Sequence, residues 1–440
     1  MHEPQTEPKY TLDELLGQCD PTAALTEEDR AWGAGAEYGL AVEEAARVAG
    51  WAGAPFIGPK ISSWVRPTRL PRYDECFLVK RLPFLDWMRG LAVVIMIQSH
   101  TFNSFVRMDL RDGGSYVLSQ FVGGMAAPLF LFMAGMTLAF QMESLERREG
   151  RRVKRWLVSL RRAGYILGIA YLFRLSNWAG SLPHANVQEI TKVDILNCMG
   201  LGMAALAVLA VAPSKSRAHF AAAAGLAIAA ASPVIANLNW SGVPSLIHEY
   251  LAPGLGRGRF AFFPCASYIA FGLATGTVVK RTDAGGIERL MQWSVLIGFA
   301  LVFTAQYFSN VPYSIYANSS FWTDSPALIL IRVGICVLMM AGAYLWTEFC
   351  AGARWSWMQT LGKTSLLVYW VHVMIVYGAW ADPIKRTMND WQAALATCAL
   401  TALMVVLAAL RLRYSAWRAE KRKPTALAAA QLAPAAEGFR

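Results

Sequence analysis

The chain has 440 residues, 55% of them hydrophobic and 16% charged, with a formal net charge of +11. Soluble domains carry about 25% charged residues, so this balance excludes an ordinary soluble domain and points to a membrane protein. The basic excess does not imply nucleic acid as a partner: Lys and Arg flank apolar runs, where positive-inside topology accounts for them.

Residues 1–80 are acidic, with Gly and Pro interspersed. They predict a mobile cytoplasmic extension with a short helix over 11–18, where Thr11 and Glu14 stand in capping-box positions. The chain then turns apolar. At about 20 apolar residues per crossing, about ten spans are predicted. They cover 84–106, 115–140, 156–175, 193–212, 218–236, 261–280, 290–308, 327–350, 361–380 and 391–411. The fold class is therefore all-α: a polytopic membrane domain over 81–411, followed by a basic, disordered cytoplasmic tail over 412–440.

Alternate connections carry the basic residues. These are Lys80 and Arg81, the group from Arg147 to Arg155, Lys215 and Arg217, Lys280 with Arg281 and Arg289, Arg354, and the stretch from Arg411 to Lys423. That alternation places both termini in the cytoplasm. The Ala-rich span 218–236 contains Pro233, which can bend or end a helix. Its loss would invert every later orientation. The seven cysteines are scattered, with no C-x-x-C pair, and predict neither a metal site nor a disulfide framework.

The first span carries the clearest chemistry: Asp86-Trp-Met-Arg-Gly-Leu-Ala-Val-Val-Ile-Met-Ile-Gln-Ser-His100. Ionisable groups at membrane depth are costly and usually face a partner or a cavity. From Arg89 to His100 a helix turns through a net of about 20° and rises about 16 Å, so both lie on one stripe. Asp86 precedes Arg89 by one turn on that stripe, and Asn103 continues it. His100 can accept a proton from a hydroxyl or amine, or attack an acyl carbonyl itself. Arg89 can bind a phosphate-bearing donor, oriented by Asp86. The competing reading is an interfacial Asp86–Arg89 ion pair, with His100 bonded to a neighbouring carbonyl.

Other polar groups offer weaker signals. Arg161 and Arg162 in the third span can meet donor phosphates, or snorkel to the interface. His372, in the ninth span, is a pocket candidate or a satisfied core histidine. Trp240 and His248 in the connection 237–260 can stack on an acceptor sugar, or belong to the interfacial aromatic belt.

The words Arg81-Leu-Pro-Phe-Leu-Asp-Trp-Met-Arg-Gly-Leu-Ala and Met96-Ile-Gln-Ser-His100 resemble the first span of the transmembrane acyltransferase superfamily. The Arg89-x10-His100 spacing is similar to its acyltransferase-3 branch. Ala127-Pro-Leu-Phe-Leu-Phe-Met-Ala-Gly135, Asp194-Ile-Leu-Asn-Cys-Met-Gly200 and Leu361-Gly-Lys-Thr-Ser-Leu-Leu-Val-Tyr-Trp-Val-His372 resemble another branch. That branch holds heparan-alpha-glucosaminide N-acetyltransferase and its bacterial relatives. The heparan enzymes carry Asn where His100 stands, so the likeness is to the bacterial members. The resemblance implies transfer of an acyl group, commonly acetyl from acetyl-CoA, to a carbohydrate or glycolipid, with His100 catalytic. It also implies a bacterial inner membrane and an acyl-CoA that is substrate rather than tightly bound cofactor. Self-association is left open. Two readings from other classes compete: a transporter that uses Asp86, Arg89 and His100 as its pathway, and a noncatalytic scaffold.

Overall fold

The computed structural model describes residues 82–149, 151–181, 186–252, 260–311, 315–350 and 355–432. The expected extension 1–80 and its helix over 11–18 lie outside the described residues.

Among the described residues thirteen α-helices follow one another. The first six are α1 (Pro83–Phe105), α2 (Gly114–Gly123), α3 (Ala126–Glu149), α4 (Arg152–Gly180), α5 (Ile195–Leu206) and α6 (Ser214–Ala236). Then come α7 (Ser245–Leu251), α8 (Phe262–Arg281), α9 (Ile287–Ser309) and α10 (Pro326–Leu345). The last are α11 (Trp357–Lys363), α12 (Ser365–Tyr377) and α13 (Asp390–Leu432). Among the described residues there is no strand, and one isolated bridge joins Val106 to Met388. Six helical stretches among the described residues are long and apolar enough to cross a membrane. The fold is an all-α polytopic membrane fold, as the apolar periodicity requires.

Three boundaries differ from the sequence expectation. The interval 115–140 is two helices, because α2 ends at Gly123 and α3 begins after Met125. The interval 361–380 is also two helices, broken at Thr364 (φ −118°, ψ 24°). The break frees α11 to press against the start of α1. A Cβ on Gly362 would stand 1.8 Å from the Asp86 carbonyl oxygen, and one on Gly90 1.9 Å from that of Met358. Only glycine permits backbones to approach so closely. Finally, α13 does not stop at 411 but continues to Leu432. Cation–π pairs at helical spacing support the extra turns: Arg418 over Tyr414 at 5.5 Å and Lys421 over Trp417 at 4.1 Å.

The doubtful span 218–236 is a continuous helix, with Pro233 in its last turn. A buried ion cluster pins its start. Arg217, fully buried, donates from Nη1 to Glu143 Oε1 at 2.5 Å and pairs through Nη2 with Glu146. Arg155 Nη1 meets Glu146 Oε2 at 2.7 Å. Ser214 Oγ donates to Glu143 Oε2 at 2.6 Å.

The same end of the bundle gathers further basic connections, with Arg281 donating to the Ser214 carbonyl at 3.3 Å and Arg147 reaching that of Lys280. At the opposite end α1, α12 and the segment before α13 are laced together. Ser104 Oγ donates to Val376 O at 3.0 Å, and Arg107 N to Met388 O at 3.0 Å. Between the two ends lies a continuous apolar core that includes Met88, Ile97, Leu129, Phe132 and Met136.

Candidate active site

Helix α1 opens with Pro83 in its first turn and Asp86 one turn from Arg89, positions that suit a helix N-terminus. Arg89 Nη1 lies 3.5 Å from Asp86 Oδ1, with Asp86 buried and Arg89 21% exposed. Arg89 also lines a cavity of about 110 Å³ between α1, α3, α4, α5 and α12. Arg162 lines it too, held by its Nη1–H to Oε1 of buried Gln141 at 3.0 Å. The remaining wall is mainly apolar, with Met96, Met133, Met199 and Met203 giving it an adaptable lining.

Arg161 is exposed and does not line this cavity. Successive residues on a helix point about 100° apart, so only one of the two adjacent arginines can turn inward.

Met96, on the cavity wall, sits one turn below His100 on the same stripe. His100 meets His372 across the bundle. The two rings lie edge to edge and nearly parallel, 5.1 Å between centroids and 11° between planes, with His100 Nδ1 2.9 Å from His372 Nε2. His372 is fully buried, and its Nδ1 is 2.7 Å from Val368 O, one turn earlier on α12. Toward the far end, Tyr377 sets its ring edgewise on His100 at 5.4 Å, and Asn103 Nδ2 donates to the Tyr377 hydroxyl at 3.3 Å. The polar stripe of α1 is thus one continuous feature: an anchored guanidinium beside a cavity, then a histidine pair.

The family known as acyltransferase 3, described as an acyltransferase domain, matches residues 82–412. The chain belongs to this family. No curated protein matches it. Membership makes the protein a membrane acyltransferase and sets aside the transporter and scaffold readings.

In this acyltransferase Tyr369 joins cavity and histidine pair. Its ring lines the cavity and stands 5.9 Å from that of His372, while its hydroxyl donates to Asp194 Oδ2 at 2.8 Å. Asp194 in turn caps α5 with its Oδ1 on Ile195 N at 2.7 Å. Asn197 Nδ2 donates to the Tyr250 hydroxyl at 3.0 Å, and the hydroxyls of Tyr171 and Tyr250 are 2.7 Å apart. Burial first, then the Tyr171 hydroxyl, holds Tyr250 above the usual phenol range, so it stays neutral. These bonds tie α7 to α4 and α5.

Trp240 and His248 stack on each other at 4.9 Å, and Trp240 Nε1 donates to Ile235 O at 3.1 Å. Neither lines the cavity. Their mutual contact covers one ring face of each and fastens α7 to the end of α6.

Sequence reasoning passed over Gln141, Tyr369, Tyr377 and Arg332. Tyr369 stands three residues before His372, a same-face spacing that was available as a signal. Arg332 lies within α10, where an ionisable residue warrants attention.

Proposed function

We propose that this acyltransferase moves an acyl group, acetyl in the simplest case, from cytoplasmic acyl-CoA to a hydroxyl or amine of an extracytoplasmic carbohydrate or glycolipid. One observation carries the reading. Two arginines, Arg89 and Arg162, line a mainly apolar cavity whose α1 side leads one turn past Met96 to His100. Arginine suits phosphate, and the apolar wall suits a pantetheine arm. The rise of about 16 Å from Arg89 to His100 is of the order such an extended arm spans.

In this scheme Asp86 steadies Arg89 on the donor phosphates, and His100 takes the proton of the acceptor. The acceptor oxygen or nitrogen bonds to the thioester carbonyl carbon, and the carbon–sulfur bond breaks. The departing thiolate receives the proton from His100. The products are the acylated acceptor and CoA thiol, with acyl-CoA serving as substrate and no tightly bound cofactor required.

Orientation follows from charge. The basic connections share one end of the bundle, and we assign that end and both termini to the cytoplasm of a bacterial inner membrane. The words at 127–135, 194–200 and 361–372 support a sugar acceptor through their likeness to the sugar-acetylating branch.

The test is a sided reconstitution. Protein in liposomes receives radiolabelled acetyl-CoA on the cytoplasmic face and a panel of glycans and glycolipids on the other. Label on an acceptor across the bilayer is the expected result. Transfer only when donor and acceptor share the extracytoplasmic side would refute the assigned geometry.

A further inference from the structure

We propose that His372 is a positioning residue that holds His100 in the tautomer whose reactive lone pair is on Nε2. The inference rests on the proposed acyl transfer for its chemistry, but its argument is the hydrogen-bond chain itself.

The Val368 carbonyl oxygen can only accept, so at 2.7 Å the His372 Nδ1 must carry a hydrogen. His372 is fully buried and meets no carboxylate among the described residues; a buried imidazolium in that setting is costly, so the ring is neutral. A neutral imidazole with hydrogen on Nδ1 has its lone pair on Nε2. That nitrogen faces His100 Nδ1 at 2.9 Å. His100 Nδ1 therefore carries a hydrogen and donates it. By the same rule the lone pair of neutral His100 is on Nε2, and Nε2 is the atom that takes the acceptor proton. The other ring nitrogen sets which one reacts, as in other histidine sites.

The backbone keeps this chain in register. Ser104 stands one turn beyond His100, and Val376 one turn beyond His372. The Ser104 Oγ bond to Val376 O at 3.0 Å locks α1 to α12 one turn from the ring contact. Near-parallel rings, 11° apart, result. When His100 Nε2 gains a proton, its Nδ1–H already points at His372 Nε2, and that bond becomes charge-assisted. His372 touches neither donor nor acceptor in this scheme. It fixes a tautomer and a ring angle, the part a carboxylate takes in a Ser-His-Asp triad.

Two measurements test this. In protein labelled with ¹⁵N-histidine, with His100 assigned by its loss in His100→Gln, the nitrogen shifts should show Nδ1 protonated and Nε2 bare at neutral pH. An Nε2–H tautomer at His100 would overturn the proposal, whatever the enzyme's substrates prove to be. The second compares His372→Phe, which cannot accept, with His372→Gln, whose amide oxygen can stand near the Nε2 position. His372→Phe should lower kcat by roughly 10²- to 10⁴-fold with the KM for acetyl-CoA within about 2-fold. His372→Gln should recover at least about tenfold of that loss. Equal activity of the two variants would refute a positioning role. If His372→Phe fails to fold, the tautomer reading on the wild type still decides, and if no acceptor is found, the spectrum does not depend on one.

Discussion

Replacing Arg217 with methionine isolates the contribution of the ion cluster to the fold. Arg217 and Arg155 face Glu143 and Glu146, two cations against two carboxylates, with Arg217 fully buried and Glu143 nearly so. Arg217 Nη2 also satisfies Ala212 O at 2.8 Å, and its Nε satisfies Leu209 O at 3.2 Å. Removing the cation leaves the buried Glu143 carboxylate with the Ser214 hydroxyl but without its cation, and takes a donor from Ala212 O; breaking a buried pair in this way costs about 3–5 kcal/mol. At about 2–4 °C per kcal/mol for larger domains, the apparent Tm should fall by about 6–20 °C. The assay is thermal unfolding in a fixed detergent at one scan rate, since membrane proteins unfold irreversibly. Removing both partners, as Glu143→Leu with Arg217→Met, should recover much of the loss, because no buried charge is then left unpaired. A fall below about 2 °C, or a double variant no better than the single one, would show that this cluster does not secure α6.

Three further outcomes follow from the geometry. Arg162→Ala should raise the KM for acyl-CoA by roughly 10- to 100-fold, the effect of losing a charge-assisted phosphate contact, while Arg161→Ala should change it by less than about 3-fold. Equal effects would mean that α4 does not present Arg162 alone to the donor. Gly362→Ala should destabilise the protein by at least about 1–3 kcal/mol and reduce transfer, because its Cβ would meet the Asp86 carbonyl oxygen at 1.8 Å. Denaturation that matches wild type would show that α1 and α11 are not so close. In a cysteine-free background, Asn186→Cys should react with an impermeant thiol reagent from outside intact cells, and Lys215→Cys only after permeabilisation. The reverse pattern would invert the assigned orientation.

The sequence exposed those parts of the site whose geometry is local. Helical arithmetic alone puts Asp86, Arg89, His100 and Asn103 on one stripe. Arg161 and Arg162 both stood as donor contacts in the sequence, and only the structure shows that Arg162 alone lines the cavity. Contacts between distant segments were not legible: His100 and His372 are 272 residues apart, and Arg217 is 74 from Glu143. Hydropathy located the apolar intervals but not the breaks within them, because apolar content says nothing about chain path. The interruption at Thr364 arises from tertiary contact, where Gly362 lets α11 press on α1. The turns of α13 beyond 411 were masked by their basic composition, although the spacing of Tyr414, Arg418, Trp417 and Lys421 at four-residue intervals favours a helix.

The central claim is that His100 moves the proton in acyl transfer, and single-turnover transfer in the His100→Ala variant tests it most directly. Pre-bound ¹⁴C-acetyl-CoA and an acceptor accepted by the wild type would be mixed with each protein at matched folding and matched donor occupancy. The transfer rate should fall by roughly 10²-fold or more while donor binding stays within about 2-fold of wild type. Transfer at the wild-type rate in His100→Ala would contradict it.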